Sequence, residues 1–118
     1  MTMIRPILAI TMGDPAGIGP EIAAKALADE RVHAVCRPLV IGDAGVMRQA
    51  ARIAKVDVSV CAVKSVTEAA FARGSMDVLD LGNVDLASLV HGKVSAMAGE
   101  AAFQAVIKAI RLAMNGEV

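Results

Sequence analysis

The chain has 118 residues, of which 56% are hydrophobic and 20% charged, and its 12 basic residues balance its 12 acidic residues. This composition is too apolar for a disordered segment, and the length is sufficient for one domain core. The charge balance and the lack of a basic block argue against a nucleic-acid-binding protein, and no apolar run approaches the roughly 20 residues of a membrane span.

The amino-terminal half predicts two successive units of strand, Gly-Asp turn and helix. Residues 7–12 form a short apolar run that predicts a strand, and residues 20–28 place proline in the first turn of a helix with one apolar face. Residues 38–41 predict a second strand, and residues 44–54 show helical spacing after it. The same order of elements therefore occurs twice.

The carboxy-terminal half alternates in the same way but is less clearly marked. Residues 56–63 alternate apolar and polar side chains, which predicts a half-exposed strand near a sheet edge. Residues 67–72 predict a short helix, residues 76–81 a strand, and residues 84–93 a loop. Residues 95–114 predict a long helix with a serine cap and an Asn-Gly stop. Its predicted apolar face consists of Met97, Ala101, Val106, Ile107, Ile110 and Ala113.

Strands that alternate with helices predict an α/β fold, with a parallel-rich sheet and helices on both of its faces. Cys36 and Cys61 lack the spacing of metal ligands or of a CxxC pair, so we expect two small buried side chains in a reducing cytoplasm.

The candidate binding site is the glycine-rich turn after the first strand, with Gly13, Asp14, Gly17 and Gly19 as its candidate residues. Glycines permit close backbone approach, and the amides at a helix start attract anions. We expect Gly17 and Gly19 to need a positive φ or close packing. By spacing alone, a tight structural turn remains the alternative, because the third small residue of a dinucleotide fingerprint is replaced by Ile22 and no Gly-Lys-Ser/Thr ending follows.

Four polar residues, Asp14 among them, have open interpretations. Asp14 binds a cation or a ligand hydroxyl, or forms an Asx turn beside its proline. Asp43 has the same ambiguity, and capping of the following helix is the simpler account. His33 and His91 are interpreted as solvated or locally hydrogen-bonded residues, not as catalytic ones. The cations of the 44–54 helix and its end are expected to form a solvated face; these are Arg48, Arg52 and Lys55.

The string GDPAGIGPE after an apolar strand closely resembles the opening signature of the 4-hydroxythreonine-4-phosphate dehydrogenase family (PdxA). The resemblance continues through LVIGD, residues 39–43, and through GKVS, residues 92–95, followed by Gly99, Ala101 and Ala102. The similarity covers essentially the whole chain, although its middle is weakly marked.

The resemblance implies a two-domain homodimer with a fold like isocitrate and isopropylmalate dehydrogenases, of which residues 1–118 form one amino-terminal α/β segment. It implies oxidation and decarboxylation of 4-phosphooxy-threonine in vitamin B6 biosynthesis, with NAD and a divalent metal ion. A related branch acts on 4-phosphorylated threonate or erythronate, and a non-catalytic anion-binding fragment is an alternative of another class. The family's metal ligands lie beyond this segment, so no residue here is assigned a catalytic or metal-binding role. The 118 residues alone are expected to be inactive and to self-associate.

Overall fold

A parallel four-stranded sheet is the centre of the computed structural model, which describes residues 4–118. The strands are β1 (Ile7–Thr11), β2 (Arg37–Gly42), β3 (Ser59–Val63) and β4 (Ser75–Asp80), in the spatial order β1-β2-β4-β3. All three pairings are parallel, so the carboxyl ends of the strands lie along one edge of the sheet. The prediction that the third strand lies at a sheet edge is confirmed.

Four helices connect or follow these strands within the described residues: α1 (Gly19–Ala28), α2 (Glu30–Val35), α3 (Ala44–Ala54) and α4 (Ala96–Met114). Three of them were predicted, and α3 has the predicted bounds. The short helix α2 was not predicted, because six residues are too few to show a helical pattern of apolar side chains. The helix predicted over residues 67–72 is wrong: only Val66–Glu68 forms a 3₁₀ turn, and the following segment turns at Phe71, whose φ of 54° is incompatible with a helix.

The two faces of the sheet bury separate hydrophobic clusters. On one face, Val40 and Val78 pack with the small and apolar residues of α1 and α3. On the other face, Leu39 and Leu79 pack with α4 and with the segment that joins β3 to β4. Neighbouring residues of each central strand therefore point into different clusters, as expected for a parallel sheet that is covered on both faces. The predicted fold class is confirmed.

Helix α4 buries only Ala101 of the face that its sequence predicted. The residues that are buried are Ala98, Ala101, Ala105 and Leu112, whereas Ile110 is 54% exposed and Val106 is 44% exposed. Alanine brings the helix axis close to β1 and β2, while the bulky side chains lie beside the contact. Leu8 on the neighbouring edge strand β1 is also exposed. Self-association through this apolar surface remains a prediction.

The two cysteines differ in environment. Cys36 is buried and donates its thiol hydrogen bond to the Val32 carbonyl oxygen at 3.4 Å. The expectation of burial is wrong for Cys61, because its strand β3 is an edge strand with one exposed face. No helix within residues 4–118 is both long and apolar enough to cross a membrane.

Candidate anion-binding loop

The glycine-rich segment forms the predicted loop between β1 and α1, at the carboxyl edge of the sheet. Gly13 has a φ of 78°, a backbone conformation that favours glycine. Asp14 turns its carboxylate back into the loop, where Oδ1 accepts from the Ala16 amide at 2.8 Å. The Asp14 carbonyl oxygen accepts from the Gly17 amide at 2.9 Å. The Asx-turn interpretation of Asp14 is therefore confirmed.

Gly19 is the position at which the loop needs glycine most. A Cβ atom there would lie 2.5 Å from the carbonyl oxygen of Met12, well inside van der Waals contact. At Gly17 the nearest atom would be the Asp14 carbonyl oxygen at an ordinary 3.5 Å, and its φ is not positive. The close packing expected at Gly19 is confirmed, whereas Gly17 shows neither the positive φ nor the close packing that was expected there.

The start of α1 leaves backbone donors without partners among residues 4–118. Its N-cap residue, Ile18, has helical dihedrals and provides no side-chain cap, and Pro20 has no amide hydrogen. Within residues 4–118, no backbone oxygen accepts from the Gly19 or Glu21 amide. These donors lie at the positive end of the helix dipole, so the loop has the local chemistry of an anion site.

A second loop closes one side of the glycine-rich loop. The Gly92 amide donates to the Ala16 carbonyl oxygen at 2.7 Å, which ties the segment before α4 to the loop before α1. A small cavity of about 150 Å³ lies between them, and its lining includes one cationic residue, Lys93, and one acidic residue, Asp14. Sequence reasoning singled out Lys93 only within the family resemblance. Its position depends on a contact between segments that are distant in sequence.

The aspartates after β2 and β4 have structural partners. Asp43 is 6% exposed, and its Oδ1 accepts from the Val46 amide at 3.0 Å at the start of α3. Its Oδ2 accepts from the Val84 amide at 3.2 Å, so the helix-cap interpretation is confirmed. Asp80, which sequence analysis did not single out, accepts from the Ala44 amide at 3.1 Å and the Gly82 amide at 3.0 Å. These bonds fix the loops around the carboxyl edge.

The described residues do not fit a metal ion. No group of three His, Cys, Asp or Glu side chains within residues 4–118 is arranged to hold one. His33 is buried, and its Nε2 lies 3.0 Å from the Leu27 carbonyl oxygen. Of the two interpretations given for it, local hydrogen bonding is therefore confirmed. His91 is exposed. The cations predicted to form a solvated face, Arg48, Arg52 and Lys55, are also exposed.

Comparison with known proteins identifies a family for this sequence. The family model described as pyridoxal phosphate biosynthetic protein PdxA matches residues 34–118. This chain belongs to the PdxA family. A Symbiobacterium thermophilum protein provisionally named D-threonate 4-phosphate dehydrogenase is 48% identical over 97% of this chain and 34% of its own length. A Fusobacterium nucleatum protein with the same provisional name is 40% identical over 98% of this chain and 35% of its own length.

Solved structures give the same result for the fold. A 4-hydroxythreonine-4-phosphate dehydrogenase from Burkholderia phymatum superposes with a TM-score of 0.94 at 40% identity, over 98% of this chain and 34% of that chain. The enzyme of the same name from Klebsiella pneumoniae gives a TM-score of 0.88 at 33% identity, over 100% of this chain and 36% of that chain. The chain thus spans about a third of the length of these relatives, and its isocitrate dehydrogenase-like fold is confirmed.

Proposed function

We propose that this chain provides the amino-terminal part of a dehydrogenase that oxidises a 4-phosphorylated hydroxy acid, and that its glycine-rich loop binds a phosphate group. Family membership supports the reaction class. The observation that supports the role of the loop is the uncapped start of α1, where the Gly19 and Glu21 amides have no acceptor within residues 4–118. Lys93 lines the cavity beside Gly17, two residues before this helix start.

The loop is built for close approach by an oxyanion. Gly19 lets the backbone pass against the Met12 carbonyl, and Gly13 adopts a positive φ where the chain leaves β1. The Asp14 carboxylate is held by the Ala16 amide. The helix dipole, the free amides and Lys93 then favour an anion at this position.

NAD and a divalent metal ion belong to the proposal as the cofactors of the complete enzyme. The loop amides and Lys93 suit a phosphate group of NAD as well as one of the substrate, and NAD accepts the hydride in the oxidation that we propose. Within residues 4–118, no group of three His, Cys, Asp or Glu side chains could hold a metal ion, so we propose that the metal ligands lie outside this range. We also propose that the complete enzyme is a cytoplasmic homodimer.

Two substrates fit the proposal. The solved relatives named for 4-hydroxythreonine 4-phosphate favour that substrate and a role in pyridoxal phosphate biosynthesis. The relatives provisionally named for D-threonate 4-phosphate favour the alternative sugar-acid branch. Both substrates carry a phosphate on C4, so a phosphate-binding loop serves either of them.

A function of another class, a non-catalytic anion-binding module, applies to the 118 residues alone. It is favoured by the uncapped helix start in the glycine-rich loop, whereas residues 4–118 form no group that could hold a metal ion. For these residues alone we predict anion binding without turnover.

The first experiment measures NAD reduction, with a series of divalent metal salts, for the 118-residue chain and for a polypeptide of the relatives' length that contains it. Each is assayed with 4-phosphooxy-threonine and with D-threonate 4-phosphate. We expect turnover only by the longer protein and a higher kcat/KM for one substrate. Failure of both substrates would contradict the proposed reaction.

The second experiment tests the loop by itself. Titration of the chain with inorganic phosphate is followed by the amide signals of Gly17, Gly19 and Glu21, and Lys93→Gln is expected to weaken binding about threefold to tenfold. Lys25→Gln, which removes an exposed cation from the last turn of α1, is the matched control. Equal weakening by the two variants would contradict a specific role for Lys93.

A further inference from the structure

A second cavity lies near the amino ends of β1 and β2, whereas the glycine-rich loop lies at the carboxyl ends of the strands. Its volume is about 360 Å³, and it is lined by the first residues of β1 and β2, by the segment between β3 and β4, and by Glu117 after α4. The size is within the range of small-molecule pockets. The cavity therefore has no part in the proposed phosphate-binding loop.

Arg37 is the fixed cation of this cavity. Its Nε donates to the Arg5 carbonyl oxygen at 2.9 Å, and its guanidinium carbon lies 5.7 Å from the centre of the Phe71 ring. Within residues 4–118, no carboxylate forms an ion pair with it. The terminal nitrogens of an oriented guanidinium provide a planar pair of donors, the geometry that a carboxylate accepts in bidentate fashion.

Phe71 is held in an unusual conformation beneath that cation. Its φ of 54° is rare for an aromatic residue, and its amide donates to Asp77 Oδ2 at 2.8 Å. Asp77 is only 3% exposed. A buried carboxylate thus fixes a strained backbone at the cavity wall, and strain of this kind is concentrated at ligand sites.

The rest of the lining defines the ligand. Ile7, Val66 and Ala69 provide an apolar wall, which suits a compact hydrocarbon body. Glu117 also lines the cavity, so its negative charge disfavours a dianionic phosphate more than a monoanion. We propose that this cavity binds a small monocarboxylate with an apolar body, whose carboxylate pairs with Arg37.

The test titrates the 118-residue protein with benzoate and follows the amide signals of Thr67, Ala69 and Phe71. Saturable shifts with a dissociation constant on the order of millimolar are expected for so small a ligand. Benzamide, which has the same size without the charge, is expected to shift these signals much less. Equal binding of the two compounds, or no saturable shift with benzoate, would overturn the proposal.

Variants locate the binding. Arg37→Gln is expected to weaken benzoate binding about tenfold or more, whereas Arg111→Gln, which removes one exposed cation from α4, leaves it unchanged. Glu117→Gln is expected to tighten binding, because it removes a like charge. If circular dichroism shows that Arg37→Gln does not fold, the affinity of Glu117→Gln for benzoate tests the proposal instead. Unchanged affinity in Glu117→Gln, or equal losses in the two arginine variants, would refute the assignment.

Phosphate binding at the glycine-rich loop is measured on different amides, so either proposal can fail without the other.

Discussion

The two strand-to-helix connections at the carboxyl edge contain the same Gly-Asp pair and have opposite structures. After β1, Asp14 folds into its own loop and the start of α1 has no side-chain cap. After β2, Asp43 is buried and caps α3 directly. The first connection leaves amide donors free for a ligand, whereas the second uses them within the protein.

The length of the connection causes the difference. One residue separates β2 from α3, so the carboxylate of Asp43 reaches the Val46 amide. The loop after β1 is longer, and its aspartate lies too early to cap the helix. The connections are packed together through Met12, whose sulfur accepts from the Asp43 amide at 3.3 Å. A shared dipeptide therefore does not imply a shared role.

The largest effect is expected from Gly19→Ala, compared with Gly17→Ala as the control. The new Cβ at position 19 would lie 2.5 Å from the Met12 carbonyl oxygen, a backbone atom that cannot rotate away. We expect the free energy of unfolding to fall by about 2 kcal/mol or more for Gly19→Ala, and to change by less than about 0.5 kcal/mol for Gly17→Ala. Urea unfolding measures both. Similar losses of unfolding free energy in the two variants would show that contact with the Met12 carbonyl oxygen is not the cause.

A smaller loss of stability is expected when Asp43 or Asp14 is replaced by alanine. Asp43→Ala removes a helix cap and leaves two amides, of Val46 and Val84, without their acceptor. We expect a loss of about 2 kcal/mol for Asp43→Ala, and about 0.5 kcal/mol for Asp14→Ala, because Asp14 is an exposed residue. Asp43→Asn retains one acceptor oxygen and should lie between them. The comparison fails if Asp14→Ala is the more destabilised variant in urea.

The smallest effect concerns a third helix start, that of α2. The Arg31 side chain, followed by its amide, lowers the pKa of Asp29 from 3.8 to about 2. Because the folded-state pKa is lowered, this contribution to stability is complete above pH 3.8 and is lost as the pH falls towards 2. Arg31→Gln should return the pKa of Asp29 towards its ordinary value, as measured by NMR titration of its carboxyl carbon. The pair is exposed to solvent, so the melting temperature at neutral pH should hardly change. An unmoved pKa would exclude the Arg31 side chain as the main cause.

Local sequence determined the elements whose signals are short-range. The bounds of α3, the Ser95 cap of α4 and the parallel alternation of strands and helices follow from apolar period and capping residues. The glycine-rich loop and the Asx turn of Asp14 are also local, and their residues lie close together in the sequence.

Tertiary structure decided everything that depends on distant segments. The face that α4 buries was decided by the close approach of its alanines to the sheet, not by its largest apolar residues. The need for glycine at position 19 comes from the Met12 carbonyl, and the cation beside the loop comes from a segment that the Gly92 hydrogen bond brings there. Periodicity and capping are properties of neighbours in the chain, whereas packing distance and electrostatic surroundings arise only when remote segments meet.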